Sequence, residues 1–212
     1  MGSSLANAPM VASAAALCVW AAVAGALAHC AECGLSVASV RRSSLTALGV
    51  AALVVPLALC SRTAAAAFAC GETTIALAIG GAVDARTGYL VDAITFPAAV
   101  LAAAAAFGAH TTADAAAGVA CLVGAFGSLV LWSRGRLMGA GDVKAMYAVG
   151  AAFGPGQSFV AIFVGCLSAL FAAAVSGKLR RGATLPFGPH LAIGCAVTLV
   201  AGNPIVAWGA GR

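Results

Sequence analysis

The chain has 212 residues, of which 63% are hydrophobic and only 8% charged, with a mean hydropathy of +1.06 and a net charge of +5. A soluble domain carries about a quarter charged residues, so there is too little polar surface here to coat a water-soluble globule, and the composition fits a bilayer. The small positive charge is spread over loops, which argues against nucleic-acid binding and matches the basic bias of cytoplasmic loops.

A membrane-spanning segment must satisfy its own backbone hydrogen bonds, which leaves helices or a closed barrel. Long apolar runs without period-2 alternation select helices. The expected fold is therefore all-α, a polytopic helical bundle. Candidate spans run roughly over 9–28, 44–61, 65–84, 93–109, 114–133, 143–155, 157–177 and 188–208. The sixth is short. It is either half of a bent segment or continues through Gly154-Pro155-Gly156, so the count is seven or eight. Residues 1–64 read as an N-terminal pair of spans and 65–212 as a second unit. The first apolar run lacks the preceding Lys or Arg of a cleavable signal peptide, so a retained first helix is expected despite Ala26-Leu27-Ala28, which imitates a cleavage site. Abundant alanine and glycine suit close helix approach in lipid.

Nine of the eleven basic residues fall on one alternate set of loops: Arg41, Arg42, Arg86, Arg134, Arg136, Lys144, Lys178, Arg180 and Arg181. By the positive-inside rule that set is cytoplasmic and the N-terminus lies outside. Arg62 and Arg212 are the exceptions.

The first loop holds His29-Cys30-Ala-Glu-Cys33. A structural zinc site normally needs four ligands and this stretch supplies three, so no metal is expected there. Cys18, Cys60, Cys121, Cys166 and Cys195 lie inside apolar runs, as small packing residues rather than a disulfide framework.

Six acids remain to be explained: Glu32, Glu72, Asp84, Asp92, Asp114 and Asp142. Glu32 belongs to the first loop. Glu72 reads as near the outer end of the third span, with a deeper position left open. Asp114, in Thr111-Thr-Ala-Asp114, resembles a capping box. Asp92 starts the fourth span, where a carboxylate favours the helix dipole. Asp84 and Asp142 are different. Each lies at the cytoplasmic edge of an apolar run, on a different helix, and an ionisable group at membrane depth is a functional candidate. Either each pairs with a local Arg or Lys, or folding brings the two together. Two close carboxylates cannot both ionise easily, which places an acid and a base in one site. Such a pair can activate water against a peptide carbonyl. The glycines of Gly139-Ala-Gly141-Asp142 permit positive φ and close backbone approach beside the acid.

Gly139-Ala-Gly141-Asp142-Val-Lys144 resembles the GxGD motif of the type IV prepilin peptidases, which are membrane aspartyl proteases. Asp84-Ala-Arg-Thr-Gly-Tyr-Leu-Val-Asp92-Ala-Ile-Thr95-Phe-Pro97 resembles the family's first aspartate segment. Ala145 to Gly150, then Gly154, resembles the continuation after GxGD, and Leu185-Pro-Phe-Gly-Pro189 its late motif. The resemblance covers roughly residues 70–205, in order. It implies that Asp84 and Asp142 are the catalytic pair, that Gly139 and Gly141 shape the active-site loop, that Asp92 supports it and that Lys144 faces lipid phosphates or the site rim. Val91 stands where the family usually has proline. The resemblance also implies prepilin-like substrates, no cofactor, an inner-membrane location with the site near the cytoplasmic face, and pilus or type II secretion components as partners. Bifunctional members carry two Cys-x-x-Cys pairs associated with zinc and N-methylation; one pair here implies no methyltransferase activity.

Three other readings follow from the residues. A serine protease would use Ser176 with His190, but Ser176 reads more simply as a helix end before Gly177, and a nucleophilic serine needs a base at hydrogen-bond distance. A metal on Asp84 and Asp92 would need further oxygen ligands, few of which are near in sequence. A transporter or passive scaffold would place polar groups near the midplane, often within repeats, whereas the acids and bases here collect at the edges.

Overall fold

The computed structural model describes residues 8–33, 49–56, 58, 63–109, 111–136, 138–177 and 185–209, and for 8, 29–33 and 203–209 it describes the backbone. Arg41, Arg42, Arg62, Lys178, Arg180, Arg181 and Arg212, most of the loop charge behind the expected orientation, lie outside these residues, as does His110. The described residues form seven helices and no strand: α1 (Ala8–Cys33), α2 (49–56), α3 (Ala64–Thr87), α4 (Asp92–Gly108), α5 (Thr112–Ser133), α6 (Ala140–Val175) and α7 (Gly188–Gly209). By length and composition, Pro9–Ala28, α3, α5 and α6 can each cross a membrane, while α4 and Gly188–Gly202 are shorter apolar helices. The chain is a helical membrane protein.

One boundary differs from the sequence-based expectation, and the bent segment left open for the sixth span is the arrangement found. Helix α1 continues through Cys33, so His29, Cys30 and Cys33 sit on helical backbone rather than in a loop. Helix α6 merges the expected sixth and seventh spans. Gly154 takes φ 66 and ψ −177 inside it, a left-handed conformation suited to glycine. Pro155 then opens the second arm, where its missing N–H costs nothing. The two arms run in opposite directions. On the first arm, the Ala152 carbonyl accepts from Cys70 Sγ at 3.1 Å, well back along α3 from Asp84. On the second, Ser168 Oγ lies 2.8 Å from His190 Nδ1, close in sequence to Gly188, which bonds Asp84. The chain thus leaves the Asp84 end along the first arm and returns along the second.

Large apolar side chains face outward, including Leu131 and Trp132 at 81% exposure, while the buried core is dominated by alanine, with few large side chains. This inversion fits a lipid solvent. Lipid tails are as apolar as leucine, so helices associate by close backbone packing instead of apolar burial. The contacts show it. A methyl group placed on Gly118 of α5 would overlap the Gly150 carbonyl oxygen of α6 and lie 2.9 Å from the Gly154 carbonyl carbon. One placed on Gly194 of α7 would overlap the Ala161 carbonyl of α6. Buried Leu17, Trp20, Ala21 and Ala24 carry α1 onto the same core, where Trp20 Nε1 donates to the Glu72 carbonyl of α3 at 3.2 Å.

Gly118→Ala is expected to destabilise the bundle by about 1–3 kcal/mol through overpacking against α6. Gly124→Ala, on the same helix with nothing within 4 Å of the added carbon, is expected to leave stability unchanged or slightly raised. Thermal unfolding in detergent compares the two.

Candidate active site

Four helix ends meet at one end of the bundle: the C-terminus of α3 and the N-termini of α4, α6 and α7. Helix α3 stops where Gly88 adopts φ 73 and donates its N–H to the Asp84 carbonyl at 2.8 Å. Asp84 stands one turn back, 6% exposed. The C-terminal end of a helix is an unfavourable place for a negative charge. The compensating donor comes from α7: the Gly188 backbone N–H donates to Asp84 Oδ2 at 3.0 Å. Gly81, one turn before Asp84 and so on the same face, permits this approach. A methyl on Gly81 would lie 2.6 Å from Pro189 N and 2.7 Å from the Gly188 carbonyl carbon.

Asp142 comes from the opposite kind of helix end. Gly139 is the N-cap of α6, and Asp142 lies in its first turn, where the dipole favours a carboxylate. The Asp142 backbone N–H donates to the Gly139 carbonyl at 3.2 Å, closing the first turn of the helix. The structure corrects the expected turn. Gly139 has φ −76 and ψ 153, and Gly141 lies inside the helix, so neither uses the left-handed region. What the two glycines supply is room. A methyl on Gly139 would have Asp142 Oδ2 as its nearest neighbour at 3.9 Å, and one on Gly141 would make ordinary contact with Leu90 at 3.6 Å.

Asp84 and Asp142 stand at the same end of the bundle, on α3 and α6. Leu90 packs between their supports. Its Cδ1 would lie 3.1 Å from a methyl on Gly188, and its Cβ is the nearest neighbour of Gly141. Sequence reading missed Leu90, Gly81 and the role of Gly188. The Pro-Phe-Gly-Pro string was the available signal for Gly188, while Gly81 is one glycine among 26.

Asp92 and Lys144 are not brought to the carboxylate pair as ligands. They form an ion pair with each other, Lys144 Nζ to Asp92 Oδ2 at 2.6 Å, with side chains 51% and 63% exposed. This ties the start of α4 to the start of α6 at the rim. Val91, in the position usually held by proline, caps α4 from an extended conformation (φ −76, ψ 115), and its carbonyl accepts from the Thr95 amide. The expected capping box at Thr111 does not form: helix α5 does start there, but Thr111 Oγ1 donates to the Ala106 carbonyl of α4 instead.

Glu72 takes the deeper of its two possible positions. It is fully buried in α3, twelve residues or about 18 Å before Asp84. Thr73 Oγ1 donates to its Oε1 at 2.8 Å, and among the described residues Oε2 has no hydrogen-bond partner. The serine alternative loses its pair, because Ser176 Oγ bonds the Ala172 carbonyl at 2.6 Å while His190 pairs with Ser168. The side chains of His29, Cys30 and Cys33 lie outside the described residues.

The sequence motifs resemble those of prepilin peptidases, and comparison with known proteins supports that resemblance. Residues 72–174 match the model of the type IV leader peptidase family. Over this stretch, just under half of the chain, it is similar to that family. No curated protein and no solved structure matches the chain. The matched stretch contains Asp84, the rim pair and the whole Gly139–Lys144 motif, and it ends before the Leu185–Pro189 segment that reaches Asp84. The leader peptidase segment therefore supplies both aspartates, and α7 supplies a donor from beyond it.

The exposed Asp92–Lys144 pair is expected to contribute under about 1 kcal/mol, read as the coupling in a double-mutant cycle of thermal unfolding. Glu72→Met is expected to raise stability, because it removes a buried oxygen that lacks a partner while keeping the side-chain volume. A lowered unfolding temperature for Glu72→Met would show that the carboxyl has a partner of its own.

Proposed function

We propose that the protein is an aspartyl endopeptidase that cleaves the leader from prepilin-like precursors at the cytoplasmic membrane face. The observation that supports the reading is the placement of Asp84 and Asp142 at one end of the bundle, with Leu90 packed between their supports, in a stretch that matches the type IV leader peptidase family model. In this reading the two carboxylates share one proton, since both cannot readily ionise at close range. The ionised carboxylate removes a proton from water as the water oxygen adds to the scissile carbonyl carbon. The protonated carboxyl gives its proton to the carbonyl oxygen. Collapse of the tetrahedral intermediate breaks the C–N bond, and a proton passes to the leaving amine. Proton transfer of this kind contributes about 10²–10⁴-fold in rate.

The glycines at 139 and 141 fit a substrate role. They leave the first turn of α6 bare beside Asp142, so that an extended leader can lie against the backbone. The apolar segment of the precursor would enter the bilayer beside the bundle and hold the scissile bond at the site, which converts membrane partitioning into orientation. The rim pair of Asp92 and Lys144 would border the entrance. The basic loops fit a cytoplasmic site by the positive-inside rule.

The test is cleavage of a prepilin-like precursor in membranes by the wild type, Asp84→Asn and Asp142→Asn at matched protein levels. Each variant is expected to stay in the membrane and to lose cleavage by about 10²-fold or more. Undiminished processing by either one would remove the paired-aspartate mechanism and favour a scaffold or transporter that kept the fold.

A further inference from the structure

The Leu185–Pro189 segment lies outside the matched family stretch, yet it makes the one hydrogen bond recorded to the Asp84 carboxylate among the described residues. Lys144 is paired with Asp92, and His190 Nδ1 with Ser168. The geometry around the Gly188 amide is tight on three sides. A methyl on Gly188 would lie 3.0 Å from Asp84 Oδ2, 3.0 Å from Gly81 Cα and 3.1 Å from Leu90 Cδ1. The amide is therefore set by α3 and Leu90 as firmly as it sets Asp84.

We infer that the Gly188 amide, presented by the start of α7 and admitted by Gly81, is a positioning group that orients the Asp84 carboxylate for the attack on the scissile bond. This rests on the paired-aspartate reading. An amide at Oδ2 removes one oxygen from competition for the shared proton and fixes the plane of the carboxylate. The other oxygen is left to face Asp142 and the water. A backbone donor does this without side-chain entropy, at the N-terminal end of a helix, where negative charge is favoured. It also ties catalysis to the packing of α7, which follows the two aspartate helices in the chain and contributes no acid of its own.

Two substitutions at one position separate the amide from the space around it. Gly188→Ala keeps the N–H and adds a methyl group. Gly188→Pro adds similar bulk and removes the N–H, at a first helical position where proline is tolerated. Steady-state cleavage of a prepilin-like precursor gives kcat and KM for each. Binding stoichiometry for the uncleaved precursor, measured in an Asp142→Asn background, reports the folded fraction. Gly188→Pro is expected to lower kcat by on the order of 100-fold with KM and stoichiometry unmoved, as a misplaced reacting group does. Gly188→Ala is expected to retain about tenfold more kcat than Gly188→Pro. Equal kcat for the two at equal stoichiometry would overturn the inference.

Gly81→Ala is an independent check should Gly188→Pro not fold. Its methyl presses on Gly188 and Pro189, its nearest neighbours, and it is expected to lower kcat with KM unchanged. Unchanged kcat there would also overturn the positioning role. Full activity of Asp84→Asn would fell the dyad and the inference together. Loss of activity in Asp84→Asn with normal kcat in the Gly188 and Gly81 variants would fell the inference alone.

Discussion

Helices surrounded by lipid gain little from touching one another through large apolar side chains, because the lipid offers the same contact. This bundle depends instead on backbones that come close enough for a single methyl group to be excluded. Gly118 against Gly150, Gly194 against Ala161 and Gly81 against the start of α7 are the places where this happens. The first joins α5 to the outgoing arm of α6, the second joins the returning arm to α7, and the third joins α7 back to α3. The three contacts link α5, α6, α7 and α3 in turn and bring the carboxylates of α3 and α6 to one end of the bundle. Large side chains are left on the outside, where Leu131, Trp132, Phe171 and Val175 meet the surroundings.

The site itself is a study in helix ends. Asp142 sits in the first turn of α6, where the helix dipole favours a carboxylate. Asp84 sits in the last turn of α3, where it does not, and the start of α7 supplies the missing donor. The two members of the pair are thus supported differently, one by its own helix and the other by a segment 104 residues away in the chain. Two carboxylates with unlike surroundings are the arrangement in which one serves as base while the other keeps a proton. Glu72 stands apart from this. It is buried in the same helix as Asp84 but engaged through one oxygen by Thr73, and its neighbours belong to the packing of α1 on α3.

Much of this was legible in the residues. The low charge and unbroken apolar runs determined an all-helical membrane bundle, since no other spanning structure satisfies the backbone without alternation. The order of the motifs around Asp84, Gly139–Asp142 and Leu185–Pro189 pointed to the family resemblance, and the placement of Asp84 and Asp142 at the edges of apolar runs marked them as the pair to examine. Local signals were weaker guides. The helix start at Thr111 was readable, but its hydroxyl found a carbonyl on the preceding helix. The glycines before Asp142 suggested a flexible turn with positive φ and proved to be a helix N-cap and an interior position that leave space.

What the sequence determined by itself was the solvent, the secondary structure and the identity of the acids, because composition, period and motif are properties of residues taken in order. What the tertiary structure alone decided was partnership. The Asp92 carboxylate is bonded to Lys144 across two helices, Asp84 to an amide on α7, and His190 to Ser168. Gly154 reverses the chain so that α7 can arrive where Asp84 is. A hydrogen bond depends on distance and angle between groups far apart in the chain, and no reading of spacing along the chain contains that distance.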